Sequence, residues 1–110
     1  MVDVPAISQK VVQIYQKVFG SRLYAVYLFG SYARGDYTDG SDIDYFAVVD
    51  EDEQTIRADK SRIYGDIADV NLDYDVLVSS IITSKAKYEH SKDFNPLYRN
   101  VRQEGVLLYG

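Results

Sequence analysis

The stretch RLYAVYLF, at residues 22–29, is apolar at every position after Arg22, and it constrains the fold more than any other segment. Its aromatic and branched residues favour a β-strand. A strand that is apolar on both faces is covered on both faces, as central strands are in sheets flanked by helices. The chain is therefore expected to form a sheet with helices above and below it.

Helical and strand patterns alternate along the rest of the chain. Apolar residues at three- and four-residue steps predict helices at 5–19 and 51–69, and two further helices are expected at 85–92 and 95–105. Strands are predicted at 22–29, 43–50, 70–84 and 106–109. This order is typical of an α/β (α+β) protein with a mixed β-sheet flanked by helices, folded as a single domain over residues 1–110.

The composition excludes several kinds of site. With a net charge of −5, the chain has no general electrostatic attraction to nucleic acid or to an anionic membrane. It contains no Cys and a single His, so a bound metal would be held mainly by oxygen atoms, which favours Mg²⁺ or Mn²⁺. The sequence shows neither a membrane-spanning run nor a signal peptide, so we expect a soluble, cytoplasmic domain.

Two aspartates open the predicted second strand. Asp42 and Asp44 are one residue apart, so they share a face of the strand, with Cα atoms about 6.5–7 Å apart. Two carboxylates ~5 Å apart repel by about 3 kcal/mol at an effective dielectric constant of ~20, and a divalent cation removes that cost. The bland alternative is that these acids are solvated turn residues.

A second acidic pair, Asp73 and Asp75, shares one face of the predicted strand at 70–84. If this strand lies beside the one that carries Asp42 and Asp44, three or four carboxylates converge. Such a set is typical of a two-metal site for displacement at phosphorus.

The segment between the first two strands carries residues suited to a phosphate group. Gly30 permits close approach of the backbone to a ligand, Ser31 can add a hydroxyl, and Arg34 follows one turn later. For the Gly-Ser pair alone, an ordinary turn with a capping serine is the simpler interpretation. Tyr32 and Tyr37 are candidates for stacking on a base, although most tyrosines are packing residues.

Together these residues form a composite motif. Gly30-Ser31, ten intervening residues and Asp42-Ile43-Asp44, followed by a strand with a further Asp, resemble the signature of the polymerase-β-like nucleotidyltransferase superfamily. The segment GSYARGDYTDGSDIDYFAVV is similar to its small single-domain branch, the minimal nucleotidyltransferases. The resemblance implies a mixed sheet flanked by helices and Mg²⁺-dependent transfer of a nucleoside monophosphate from a nucleoside triphosphate, with ATP expected, to a hydroxyl group.

The resemblance also implies roles for individual residues. Gly30 and Ser31 would hold the triphosphate, and Asp42 and Asp44 would bind two Mg²⁺ ions, with Mn²⁺ as an alternative. A third acid would complete the metal site and help to deprotonate the acceptor. Position along a strand does not choose between Asp73 and Asp75; the apolar-acid-apolar context YDVLV favours Asp75.

A partner protein is the last expectation. Small members of this family are often encoded beside a helical HEPN protein, and some are antitoxins that adenylylate a tyrosine of it. The alternative is a weak or inactive binding module that keeps the fold and occludes its partner. The preferred base, the acceptor and the oligomeric state stay open at this point.

Overall fold

The computed structural model describes residues 2–110 and shows a four-stranded sheet with helices on both faces. The helices are α1 (Val4–Phe19), α2 (Ser31–Arg34), α3 (Glu53–Tyr74), α4 (Lys85–Ser91) and α5 (Pro96–Glu104), and a 3₁₀ turn spans Gly20–Arg22. The strands are β1 (Leu23–Phe29), β2 (Ile43–Val49), β3 (Val78–Ser84) and β4 (Val106–Tyr109).

The sheet is mixed, as predicted. Its strand order is β3-β2-β1-β4, with β1 antiparallel to both β2 and β4 and with β2 parallel to β3. The two apolar strands of the sequence, β1 and β2, occupy the centre. The predicted fold class is therefore confirmed.

The core has two layers, one on each face of the sheet. On one face, α1 and α3 contribute Ile7, Val11, Ile63 and Ile67 to a cluster that includes Tyr45 of β2. On the other face, α4 and α5 pack an aromatic cluster against β2, with members Phe46, Tyr88, Tyr98 and Val101. Every residue from Tyr45 to Val49 is fully buried, which explains the continuous apolar run of that strand.

The predicted third strand is wrong in its first half. Residues 70–74 continue α3, and β3 begins only at Val78. The helix extends because its buried positions recur at helical spacing as far as Val70 and no Gly or Pro stops it there. It ends at Asp75, which takes the left-handed conformation with φ 53° and ψ 53°.

This correction also separates the second acidic pair. Asp73 lies on the last turn of α3, whereas Asp75 is the residue that ends the helix. The two carboxylates therefore do not share the face of a strand, as the sequence had suggested.

Across the described chain, no helix combines the length and the apolar character that crossing a membrane requires.

Candidate active site

The glycine-serine pair and the acidic pair meet at one end of the sheet. In the antiparallel pairing of β1 with β2, Phe29 lies opposite Asp44, and Gly30 follows Phe29 directly. A Cβ atom built on Gly30 would collide with the Asp44 carboxylate. The backbone of Gly30 thus lies against that carboxylate, an approach that only glycine permits.

Gly30 also starts the short helix α2. It has φ 75° and ψ −154°, and its carbonyl oxygen accepts hydrogen bonds from the N–H groups of Ala33 and Arg34, each at 3.1 Å. The N–H groups of Ser31 and Tyr32 belong to the first turn of α2, where a helix offers no acceptor. Gly30, which directly precedes these donors and the Ser31 hydroxyl, lies against the carboxylate of Asp44, and the segment is partly exposed.

Asp44 lies in a setting that disfavours its charged form. Partial burial raises the pKa of this carboxyl, and the nearby charge of Asp42 raises it further. The positive charge of Arg34 and the nearby Ser79 hydroxyl lower the pKa of Asp44 but do not cancel the rise. A cation bound between Asp42 and Asp44 would relieve the strain on both charges.

Arg34 lies close enough to the site to act on Asp44, but other carboxylates hold its donors. Its Nε donates to Asp36 and its Nη1 donates to Glu104 of α5, each at 3.2 Å. These hydrogen bonds, first with Asp36 and then with Glu104, raise the pKa of the guanidinium. Because all three side chains are exposed, the contacts are exchangeable ion pairs of low individual strength.

The two candidates for the third acid lie in different surroundings. Asp73 lines a groove of about 280 Å³ between α1 and α3, which also contains Lys10 and Lys17. Asp75 lies in the turn that leads into β3. The Ile43 N–H donates to the Leu77 carbonyl at 2.9 Å, so this turn reaches the same end of the sheet as Asp42 and Asp44.

The described residues supply two converging carboxylates rather than three. No group of three or more His, Asp or Glu side chains within residues 2–110 is arranged to hold a metal ion. Asp42 and Asp44 nevertheless offer the oxygen ligands that Mg²⁺ takes, and burial together with the neighbouring charge of Asp42 raises the pKa of Asp44. This pair fits a divalent cation.

Two residues near the site escaped the sequence analysis. Ser79 lies opposite Asp44 in the parallel pairing of β2 with β3, and a correct register of the third strand would have found it. Glu104 lies 70 positions after Arg34 in the chain, and no sequence signal joins the two.

A second groove is separate from these groups. It has a volume of about 610 Å³ and lies between α1 and the sheet at Leu28 and Leu108. Its lining contains no charged side chain and none of the predicted site residues.

Comparison with known proteins identifies the family of the chain. The nucleotidyltransferase domain family matches residues 7–106. The chain belongs to this family. It is 34% identical over 91 residues to a protein of Methanocaldococcus jannaschii named as a candidate protein adenylyltransferase. The alignment covers 83% of each chain. A second protein of that organism with the same designation is 41% identical over 68 residues, covering 62% of this chain and 67% of its own.

Solved structures agree with this assignment. A mutant of the MntA–HpeT toxin–antitoxin superposes with a TM-score of 0.62 at 19% identity, over 94% of this chain and 73% of that chain. A nucleotidyltransferase candidate from Sulfolobus solfataricus superposes with a TM-score of 0.56 at 26% identity, over 96% and 81% of the two chains. The first of these comparisons shows the fold alone. The family match and the two relatives from Methanocaldococcus jannaschii confirm the predicted nucleotidyltransferase enzyme.

Proposed function

We propose that this nucleotidyltransferase transfers AMP from ATP to a hydroxyl group of a partner protein, as the antitoxin of a toxin–antitoxin pair with a HEPN-type toxin. The relatives named as protein adenylyltransferases support the acceptor class. The toxin–antitoxin neighbours, one of them solved with AMP-PNP, support the nucleotide and the partner.

One observation carries the chemistry, namely the contact of the Gly30 backbone with the Asp44 carboxylate. Because of it, donors suited to a phosphate group lie next to acceptors suited to a cation. A nucleoside triphosphate is a substrate that needs both, since its phosphates carry negative charge and bind divalent ions.

Each residue then has a defined task. Gly30 and Ser31 bind the triphosphate through backbone N–H groups and a hydroxyl, and Asp42 and Asp44 hold the metal. Two Mg²⁺ ions, when bound, neutralise charge at the α-phosphate and on the departing oxygen. Asp75 is the third acid of the proposal, because its turn ends at the same edge of the sheet.

The reaction itself is a displacement at phosphorus. The acceptor hydroxyl oxygen forms a bond to the α-phosphorus, the bond between that phosphorus and the oxygen bridging it to the β-phosphate breaks, and pyrophosphate leaves. A carboxylate takes the proton of the hydroxyl group. Arg34 exchanges Asp36 and Glu104 for the phosphates, to which a guanidinium donates hydrogen bonds in a fixed fork.

Label transfer tests this proposal. The protein is incubated with ATP labelled at the α-phosphate, Mg²⁺ and the protein encoded beside it, and label on the partner is measured. We expect transfer by the wild type, a loss of about 100-fold or more in Asp44→Asn, and normal transfer by Asp69→Asn, an exposed residue of α3 in the groove that faces α1. Absence of label on any acceptor, together with absence of metal-dependent ATP binding, would refute the proposal.

A second candidate is a binding module that blocks its partner without catalysis. The observation that favours it is the absence of a third converging acid in residues 2–110. Calorimetric titrations separate the two candidates, because the module predicts tight binding of the partner and no heat with ATP and Mg²⁺. Nucleotide binding that requires Asp44 would reject it.

A further inference from the structure

Two tyrosines form a stack in the loop between the two halves of the proposed site. The rings of Tyr32 and Tyr37 are nearly parallel, at an interplanar angle of 6°, with centroids 4.3 Å apart. Tyr32 belongs to α2 and immediately follows Ser31, while Tyr37 lies in the connection that leads to Asp42 and Asp44.

The inner ring is anchored and the outer ring is open. Tyr32 is partly buried and packs against the main apolar cluster of the core. Tyr37 is 53% exposed, although it is a large aromatic side chain. An exposed ring supported from behind by a second ring presents a flat, rigid surface to solvent.

Backbone structure around the stack fixes its position. Gly35 ends α2 in the left-handed conformation with φ 87°, which turns the chain back so that Tyr37 lies over Tyr32. Beyond it, the Ser41 Oγ accepts the Thr38 N–H at 2.9 Å, and the Ser41 N–H donates to the Thr38 carbonyl at 3.0 Å. The outer ring is thus held by an ordered turn on one side and by a helix on the other.

We propose that the exposed face of Tyr37 is the platform on which the base of the nucleotide stacks. This inference rests on the proposed function, because it assumes phosphates at Gly30 and Ser31. In a nucleotide, the ribose alone separates the α-phosphate from the base. Tyr32, the inner ring of the stack, directly follows Ser31 in the chain. Stacking of this kind accepts every base, since each has a π-face, with a preference for the larger purines.

The competing explanation is that the two rings only pack against each other. Aromatic pairs in proteins do stabilise one another in offset-stacked geometry. That explanation requires no open face. It predicts that removal of the Tyr37 ring changes the affinity for ATP and the affinity for a bare phosphate chain to the same extent. The distinction is measurable.

Binding of two ligands tests the platform. We would measure the affinity of ATP and of inorganic tripolyphosphate, both with Mg²⁺, by calorimetry. For Tyr37→Ala we expect ATP to bind about 5- to 100-fold more weakly and tripolyphosphate to bind as in the wild type. Tyr37→Phe, which keeps the ring, should bind ATP normally, as should Tyr64→Ala, a control at a similarly exposed tyrosine of α3.

The possible results distinguish failure of the Tyr37 platform from failure of the proposed function. Unchanged ATP affinity in Tyr37→Ala would overturn the platform and leave the proposed function intact. An equal loss for both ligands would also overturn it, because the ring would then act by shaping the phosphate site. If the wild type bound neither ligand, the proposed function would fail first and the platform with it. Thermal unfolding of each variant checks that the fold is retained.

Discussion

At the scale of single residues, Gly30 is the most constrained position of the site. Replacement by Ala places a Cβ against the Asp44 carboxylate in a backbone with φ 75°. We expect Gly30→Ala to lose transferase activity and about 1–3 kcal/mol of stability, because this φ with ψ −154° is a backbone region that essentially only glycine adopts. Gly65→Ala is the matched control, because this glycine lies inside α3 with open space around it, and it should gain about 0.5–1 kcal/mol with normal activity. Denaturant unfolding and label transfer report the two effects.

Asp44 predicts a pH dependence of stability. Its pKa is raised in the folded protein, so the folded state binds the proton more tightly than the unfolded state does. The free energy of unfolding therefore falls as pH rises from the usual carboxyl pKa through the raised one.

In metal-free buffer, Asp44→Asn should exceed the wild type in stability at neutral pH, by less than about 1 kcal/mol because solvent screens this partly exposed group. At about pH 3, where the wild-type carboxyl is protonated, the two should coincide. Denaturant titrations at both pH values measure this, with Asp39→Asn in the exposed turn as control. A larger gain at low pH would contradict the assigned sign.

At the scale of elements, the end of α3 separates the two candidates for the third acid of the proposed site. Asp75→Asn should lower label transfer by about 100-fold, because the turn that carries it joins β3 at the edge occupied by Asp42. Asn tolerates the left-handed conformation, so the fold should survive the change. Asp73→Asn, on the groove between α1 and α3, should transfer normally. Equal effects of the two changes would remove Asp75 from the site.

The helices and strands also show which parts of the fold could be predicted from the sequence. It predicted α1, β1 and β2, because the spacing of apolar residues is a local signal. It failed at residues 70–77, since the end of α3 depends on one residue taking a left-handed conformation and no glycine or proline marks it. The meeting of Gly30 with Asp44 could be inferred only from the resemblance to the nucleotidyltransferase signature, because it depends on strand pairing.

At the scale of the whole molecule, ligand binding should appear as stability. ATP with Mg²⁺ at about 100 times its Kd stabilises a folded protein by ~2.7 kcal/mol, or roughly 10 °C in a domain of this size. We expect this shift in thermal unfolding of the wild type, its loss with a chelator, and its absence in Asp44→Asn. A shift that persists with the chelator would show that nucleotide binds without metal.

The pairing of Phe29 with Asp44 has a consequence for the folding of the active enzyme. A slip of one residue between β1 and β2 would bring Ile43 or Tyr45 beside Gly30 and turn the carboxylate to the opposite face. No partly functional arrangement lies between the two registers. Transfer activity is therefore proportional to the fraction of molecules in which β1 and β2 pair in the native register. The activity recovered after refolding measures that fraction.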